Sequence, residues 1–235
     1  MVSLGMAAWA DNSVEIDVDA ITNTDHTTDV LVIGGGMAGL FAAGKAHDAG
    51  AATMIVSNGR PGSSGLTPFA KGVLVFDPAS ETGTVDEFVA TVSRSALGTN
   101  NPVYTRQLAE HSLDRARELT ERGFVDQTSA NRPFMRPIED RDIPLLERVI
   151  VTHLIKENGR IAGAAGFRLD AEETVTIRAE SVIQCTGVGG FKPSGFPLGD
   201  LTNVGSIMAY QTGAKITGKE WNDGHSPAAP IPQLL

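Results

Sequence analysis

The sequence contains one cysteine, Cys185, in 235 residues. A single thiol excludes an intramolecular disulfide and a cysteine-based zinc site, and it fits a reducing, cytoplasmic compartment. No apolar run reaches the roughly 20 residues that span a bilayer, so no transmembrane helix is expected. Positive charge is scarce too: 19 Lys and Arg stand against 28 Asp and Glu, the net charge is -9, and no basic run occurs. Nucleic-acid binders need clustered cations on the phosphates, so that class is set aside. The five histidines, His26, His47, His111, His153 and His225, show no ligand-like spacing, and no metal is expected.

What is present is ordinary globular material, 41% hydrophobic and 20% charged, enough to build a core. Residues 1–27 are polar, acidic and weakly periodic, and read as a poorly ordered leader. Ala-Trp-Ala before Asp11 looks like a cleavage site, but no positive n-region precedes it. Asp29 to Ile33 is a short apolar run ending in glycines, as a buried parallel strand would. An alanine-rich helix follows, with Leu40, Ala43 and Ala46 at helical spacing and Gly50 as its stop. Ala52 to Val56 supplies a second buried strand and closes a βαβ unit.

A Gly/Ser/Pro-rich loop spans Asn58 to Thr67, and two amphipathic helices are expected over Asp86 to Leu97 and Pro102 to Arg122. In the second, Leu108, Leu113, Ala116 and Leu119 form the apolar stripe. Phe124 to Pro144 carries no clear element. From Glu147 the period changes to two: a hairpin turning at Glu157-Asn158-Gly159, then ETVTIRA as a strand, then SVIQC as a separate buried strand. Val204 to Gly213 reads as a final helix.

Gly34 to Gly39 fits G-x-G-x-x-G between a strand and a helix. Gly34 permits the tight turn, Gly36 lets the backbone approach a pyrophosphate, and Gly39 allows close helix–strand packing. The helix N-terminus then favours the anion. The acidic residue that usually closes the second strand and binds ribose hydroxyls is absent, and Ser57 and Asn58 stand there instead. Ser57 offers a weaker hydrogen bond, and Arg60 nearby suits the 2′-phosphate of NADP. At this point FAD and NADP both remain open.

Gly62 to Leu66 (GSSGL), the hairpin inserted before SVIQCTGVGG, and LTNVGSIMAYQTGAKITGKEW resemble the fumarate reductase/succinate dehydrogenase flavoprotein family, which includes aspartate oxidase and adenylylsulfate reductase. The resemblance covers about Asp29 to Pro227. It implies an α/β fold: a Rossmann-like FAD-binding domain, a parallel sheet flanked by helices, over residues 28–219 with a small antiparallel β insertion at about 147–178. It also implies hydride transfer at the N5 atom of FAD. By position, Gly34, Gly36, Met37, Ala38 and Gly39 would hold the pyrophosphate, and Ser57 and Asn58 would face the adenosine ribose. Gly62, Ser63, Ser64 and Gly65 would line the flavin side, and Thr186 and Gly187 would close over the cofactor. Covalently flavinylated members carry a histidine in the Ser-rich loop; its absence here implies non-covalent FAD.

The chain departs from the family pattern in three places. Val204 replaces the acidic residue of T-G-D-G or T-G-E-G, and the Phe124 to Leu145 segment is short and lacks the expected helix. Residues 220–235 match the lead into a capping domain that the sequence does not include. There Glu220 and His225 have the spacing of the family's E-x-x-x-x-H motif, which makes His225 the candidate substrate-binding residue. The implied partners are a small carbon acid and a further polypeptide supplying the cap. The alternatives are a truncated or degenerate fragment without catalysis of its own, and an NADP-binding dehydrogenase.

Overall fold

The computed structural model describes residues 20–63, 65–66, 74–79, 83–121, 135–189 and 201–217. Its elements are β1 (Thr22–Ile33), α1 (Met37–Asp48), β2 (Thr53–Val56), α2 (Val85–Ser95), α3 (Pro102–Glu121) and α4 (Arg136–Glu139). Then follow β3 (Leu145–Leu146), β4 (Val149–Glu157), β5 (Arg160–Arg168), β6 (Glu173–Gln184) and α5 (Val204–Gln211). All six strands form one sheet in the order β3-β2-β1-β6-β5-β4. The β3, β2, β1 and β6 neighbours are parallel, whereas β5 is antiparallel to both β6 and β4.

Backbone bonds at the strand ends show that this sheet curls. Ser57 N–H donates to Leu146 O at 2.8 Å, and Val149 N–H donates to Ser57 O at 3.0 Å. The start of β4 therefore sits at the end of β2, although β4 lies at the far edge in strand order. The antiparallel strands and α5 cover one face of the parallel sheet, and α1, α3 and α4 cover the other.

Side-chain alternation follows from this arrangement. Leu31, Ile33 and Val56 join Val149, Val151, Ala164, Val175, Ile177 and the α5 residue Met208 in one buried cluster. Val32 and Ile55, one residue out of phase, join Leu40 and Ala43 of α1, Leu119 of α3, and Met135, Ile138 and Ile143 in the other. Residues fully removed from water, such as Leu31 and Ile55, contribute roughly 1.5–3 kcal/mol each in area terms. Helix α1 buries small residues, Gly39, Ala43 and Gly44, beside Leu40, which brings its axis close to the sheet.

Four expectations change. First, β1 begins at Thr22, so residues 22–27, read as leader, are strand. These polar residues form strand because β6 supplies a parallel partner for them, Thr22 opposite Glu173 through Thr28 opposite Ala179. Side chains tie the same rungs: Thr24 donates to Glu173, whose other oxygen takes Arg168 Nε at 2.8 Å. Second, ETVTIRA and SVIQC are one continuous strand, β6. The antiparallel strands of the expected insertion are thus continuous with the parallel sheet.

Third, the Phe124 to Pro144 stretch contains α4, and β3 pairs parallel with β2, Ile55 opposite Leu145. The crossover is made by α2 and α3, and Ile138 and Ile143 fill the space beneath it. Fourth, of the expected α3 stripe Leu119 is buried, but Leu108 is 38% exposed and Ala109 is buried in its place. Other expectations hold. Asn158 and Gly159 make the hairpin turn with φ of 50° and 79°, as a type I′ turn requires. A capping box, Thr84 with Glu87, starts α2 at Val85.

Two ion pairs fasten α1 to its layer. Lys45 meets Glu118 of α3 at 3.1 Å. Arg141 grips both oxygens of Asp48, at 2.7 and 2.9 Å. Arg141's hydrogen bonds, opposed by burial and helped by its charge and by His47, lower the Asp48 carboxyl from 3.8 to about 2. A depressed folded-state value means stability that is present above the unfolded value and lost as pH falls through the folded one. We therefore expect the wild type to lose stability relative to Asp48→Asn between about pH 4 and pH 2, and to hold its advantage above pH 5. Urea unfolding at stepped pH checks this; parallel profiles for the two proteins would show that the pair contributes nothing. Both partners are partly exposed, so the advantage should be small.

Candidate functional site

The C-terminal ends of β1, β2 and β6 open onto one cleft. In parallel α/β sheets the crevice beyond these ends is where ligands bind. Its floor is the turn from β1 into α1. Gly34 has φ of 116°, and a Cβ there would lie 2.2 Å from Cys185 O. At Gly39 a Cβ would stand 1.8 Å from Gly34 O. The two glycines let α1 sit directly on the turn. Gly36 caps α1 with no side-chain hydrogen bond, so the helix presents its N-terminal backbone to the cleft.

The Ser-rich loop is fastened to this turn. Gly62 N–H donates to Gly35 O at 2.8 Å, and a Cβ on Gly35 would meet Pro61 at 2.7 Å. Ser57, at the end of β2, is 4% exposed and lines the cleft. Among the described residues its hydroxyl has no hydrogen-bond partner. A hydroxyl lining a cleft can donate to, or accept from, a ligand that enters it. Asn58 beside it is exposed.

The opposite wall comes from the β6 exit and α5. Cys185, Thr186, Gly187 and Val188 run along it, facing Thr202, Val204 and Gly205. Gly189 bridges Thr202, and a Cβ on Gly205 would fall 1.7 Å from Thr186 Oγ1. Asn203, the N-cap of α5, is left-handed with φ of 61°, a conformation asparagine accepts more readily than most residues. Burial pushes the Cys185 thiol up, so the neutral form is favoured and the residue serves as a small strand-end side chain.

Of the residues singled out from the sequence, Gly34, Gly36, Ser57, Asn58, Gly65, Thr186 and Gly187 line this one cleft. Met37, Ala38 and Gly39 form the first turn of α1 beneath it. Gly62 and Ser63 lie in the loop fastened to its floor, with Ser63 Oγ donating to Arg60 O at 3.3 Å. Ser64, Glu220 and His225 fall outside the described residues. The sequence reading did not place Thr202 and Gly205 in the site, although the T-x-x-G spacing around Val204 marked the segment. Val204 directs an apolar side chain at the place where an acid was expected, and it packs on the core beneath.

This cleft fits a dinucleotide: a glycine cradle that a Cβ would fill at Gly34 and Gly39, a helix N-terminus for the pyrophosphate, and the Ser57 hydroxyl at the end of the second strand. Among the described residues no group of acidic, histidine or cysteine side chains is arranged to hold a metal. No described helix is long and apolar enough to cross a membrane.

Comparisons with known proteins agree with this geometry. One subunit of the fumarate reductase (CoM/CoB) of Methanothermobacter marburgensis is 28% identical over 88% of this chain and 44% of its own length. L-aspartate oxidase of Halobacterium salinarum is 29% identical over 86% of this chain and 46% of its own. The chain thus spans under half the length of the curated relatives it matches. Among solved structures, the open conformation of a flavocytochrome c3 fumarate reductase superposes with a TM-score of 0.69 at 21% identity, covering 82% of this chain and 41% of that one. Adenylylsulfate reductase from Archaeoglobus fulgidus gives 0.68 at 20% identity, over 83% and 37%. Residues 29–193 match the family described as FAD dependent oxidoreductase, which is defined by FAD and not by a nicotinamide cofactor. The chain belongs to the FAD-dependent oxidoreductase family.

Proposed function

We propose that this chain is the FAD-holding part of a fumarate reductase/succinate dehydrogenase-type flavoprotein that acts on a small carbon acid. The observation that carries the reading is the convergence of three features on one cleft: the α1 N-terminus, the unpartnered Ser57 hydroxyl and the Thr186-Gly187 turn. Bound FAD supplies a hydride donor or acceptor at N5. The chain's own work is placement. Gly34 and Gly36 admit the pyrophosphate to the α1 N-terminus, Ser57 and Asn58 meet the adenosine ribose, and Gly62 to Gly65 bound the flavin side. Non-covalent attachment is supported by the absence of histidine between Asn58 and Thr67. A cytoplasmic setting agrees with the single free thiol.

Hydride transfer requires substrate held within van der Waals reach of N5. The reading therefore adds a polypeptide, from a partner subunit or from further sequence, that supplies the substrate-facing wall. The relatives' greater length supports it, as does the name of one as part of a larger assembly. His225 is the candidate on this chain for the substrate carboxylate. A second reading, a flavin-holding fragment without catalysis, is favoured by Val204, whose apolar side chain offers no acidic contact.

The test is to load the purified chain with FAD, reduce it anaerobically and mix it with fumarate. Reoxidation faster than in a buffer control supports the first reading. Retained flavin that ignores fumarate supports the second. Protein that takes up no flavin contradicts both.

A further inference from the structure

Gln184, the last residue of β6, is polar where its strand pattern calls for an apolar side chain. Val175, Ile177 and Val182 of the same strand all pack into the cluster around Leu31 and Met208. Gln184 lies two residues beyond Val182, opposite Ile33 as Val182 is opposite Leu31; it is half-buried and does not line the cleft. Its amide Nε2 donates to Thr186 Oγ1 at 3.4 Å. The same amide lies 2.7 Å from where a Cβ on Gly205 would be, with Thr186 Oγ1 at 1.7 Å from that point. Gln184, Thr186 and Gly205 therefore interlock, and the missing Gly205 side chain is the space the other two occupy.

We propose that Gln184 is a positioning residue for the cofactor, acting through Thr186 and the α5 N-terminus. A hydroxyl has one hydrogen to donate and lone pairs to accept with. Once Thr186 accepts from the Gln184 amide, its own hydrogen is left to point into the cleft as a donor. The bonded pair packs against Gly205 in the first turn of α5, so the Thr186-Gly187 turn and that helix are set together before the ligand arrives. An apolar residue at 184 would satisfy the packing and leave the hydroxyl free to turn away. That is why a polar residue on this face is informative. The proposal rests on the reading of the cleft as the FAD site.

The test measures FAD affinity by quenching of flavin fluorescence, with thermal melting of the FAD-free chain alongside. Gln184→Leu should raise the FAD Kd about fivefold, the size of one neutral hydrogen bond, and leave the melting temperature of the FAD-free chain unchanged. Thr186→Val should weaken FAD comparably, and adding Gln184→Leu to it should produce no further loss. Thr186→Ser, which keeps the hydroxyl, should retain the Gln184 dependence. Equal affinity in wild type and Gln184→Leu would overturn the proposal alone. So would losses that multiply independently in the double variant, or a fall in FAD-free stability that matches the affinity loss. A wild-type chain that takes up no FAD would overturn the underlying reading, and the proposal with it.

Discussion

Gly39→Ala is expected to abolish measurable FAD uptake and to lower the stability of the chain. The added methyl would stand 1.8 Å from the carbonyl oxygen of Gly34 and 3.5 Å from the Cys185 side chain. The first obstacle is backbone, so no rotamer change relieves it. Either α1 moves outward or the Gly34 turn opens, and each displaces the helix N-terminus from the position where it meets a pyrophosphate. Overpacking of this kind costs roughly 1–3 kcal/mol in stability. The cost to binding should be larger, because a 1 Å misplacement of a positioning element can reduce function about 100-fold. Gly44 makes a fair control. It is buried in the same helix, yet a Cβ there meets nothing within 4 Å, so Gly44→Ala should bind FAD as wild type does. Equal FAD affinity in Gly39→Ala and Gly44→Ala would show that the close approach at Gly39 is not what builds the site.

Leu31→Ala should give the largest loss of stability among simple truncations of the core. Leu31 is fully buried near the C-terminal end of β1, where the parallel sheet meets the curled antiparallel strands and Met208 of α5. Neighbours on three sides belong to different strands and cannot collapse together into the space. Truncation of a buried leucine costs about 2–5 kcal/mol, and this site belongs toward the upper end. Val103→Ala, at a position 61% exposed on α3, should stay within about 0.5 kcal/mol of wild type. Urea denaturation of both variants decides the matter. A Leu31→Ala loss below about 1 kcal/mol would mean that the two layers do not share a packed core there.

The central βαβ unit and the glycine turn were readable from the sequence because everything that specifies them is local. Asp29 to Ile33 is apolar, the glycines follow at fixed spacing, and Gly50 ends the helix within the same stretch of chain. The hairpin was readable for the same reason, with Asn158-Gly159 naming its own turn. Thr22 to Thr28 was not. Its residues are polar, and what makes them strand is a partner, Glu173 to Ala179, about 150 positions away. The single continuous β6 was hidden likewise: its polar middle reads as a break until β1 is placed alongside it.

The site divides along the same line. Gly34, Gly36 and the Thr186-Gly187 turn carry their own spacing signals, and they meet in one cleft. The Gln184–Thr186–Gly205 joint carries none, since a glutamine at a strand end has no distinctive pattern in sequence. Only the approach of α5 to the β6 exit gives it meaning. Val204 is informative at both levels. The motif marks the position as one that expects an acid, and the fold shows the valine spending that position on packing and cleft lining.

Titration of the FAD-free chain with FAD tests the central claim most directly, followed by flavin fluorescence and by the visible absorbance of the desalted protein. The account predicts saturable uptake of one FAD per chain, weakened in Ser57→Ala and lost in Gly39→Ala, with NADP failing to compete. Absence of uptake at saturating FAD, or displacement of FAD by NADP, would contradict it.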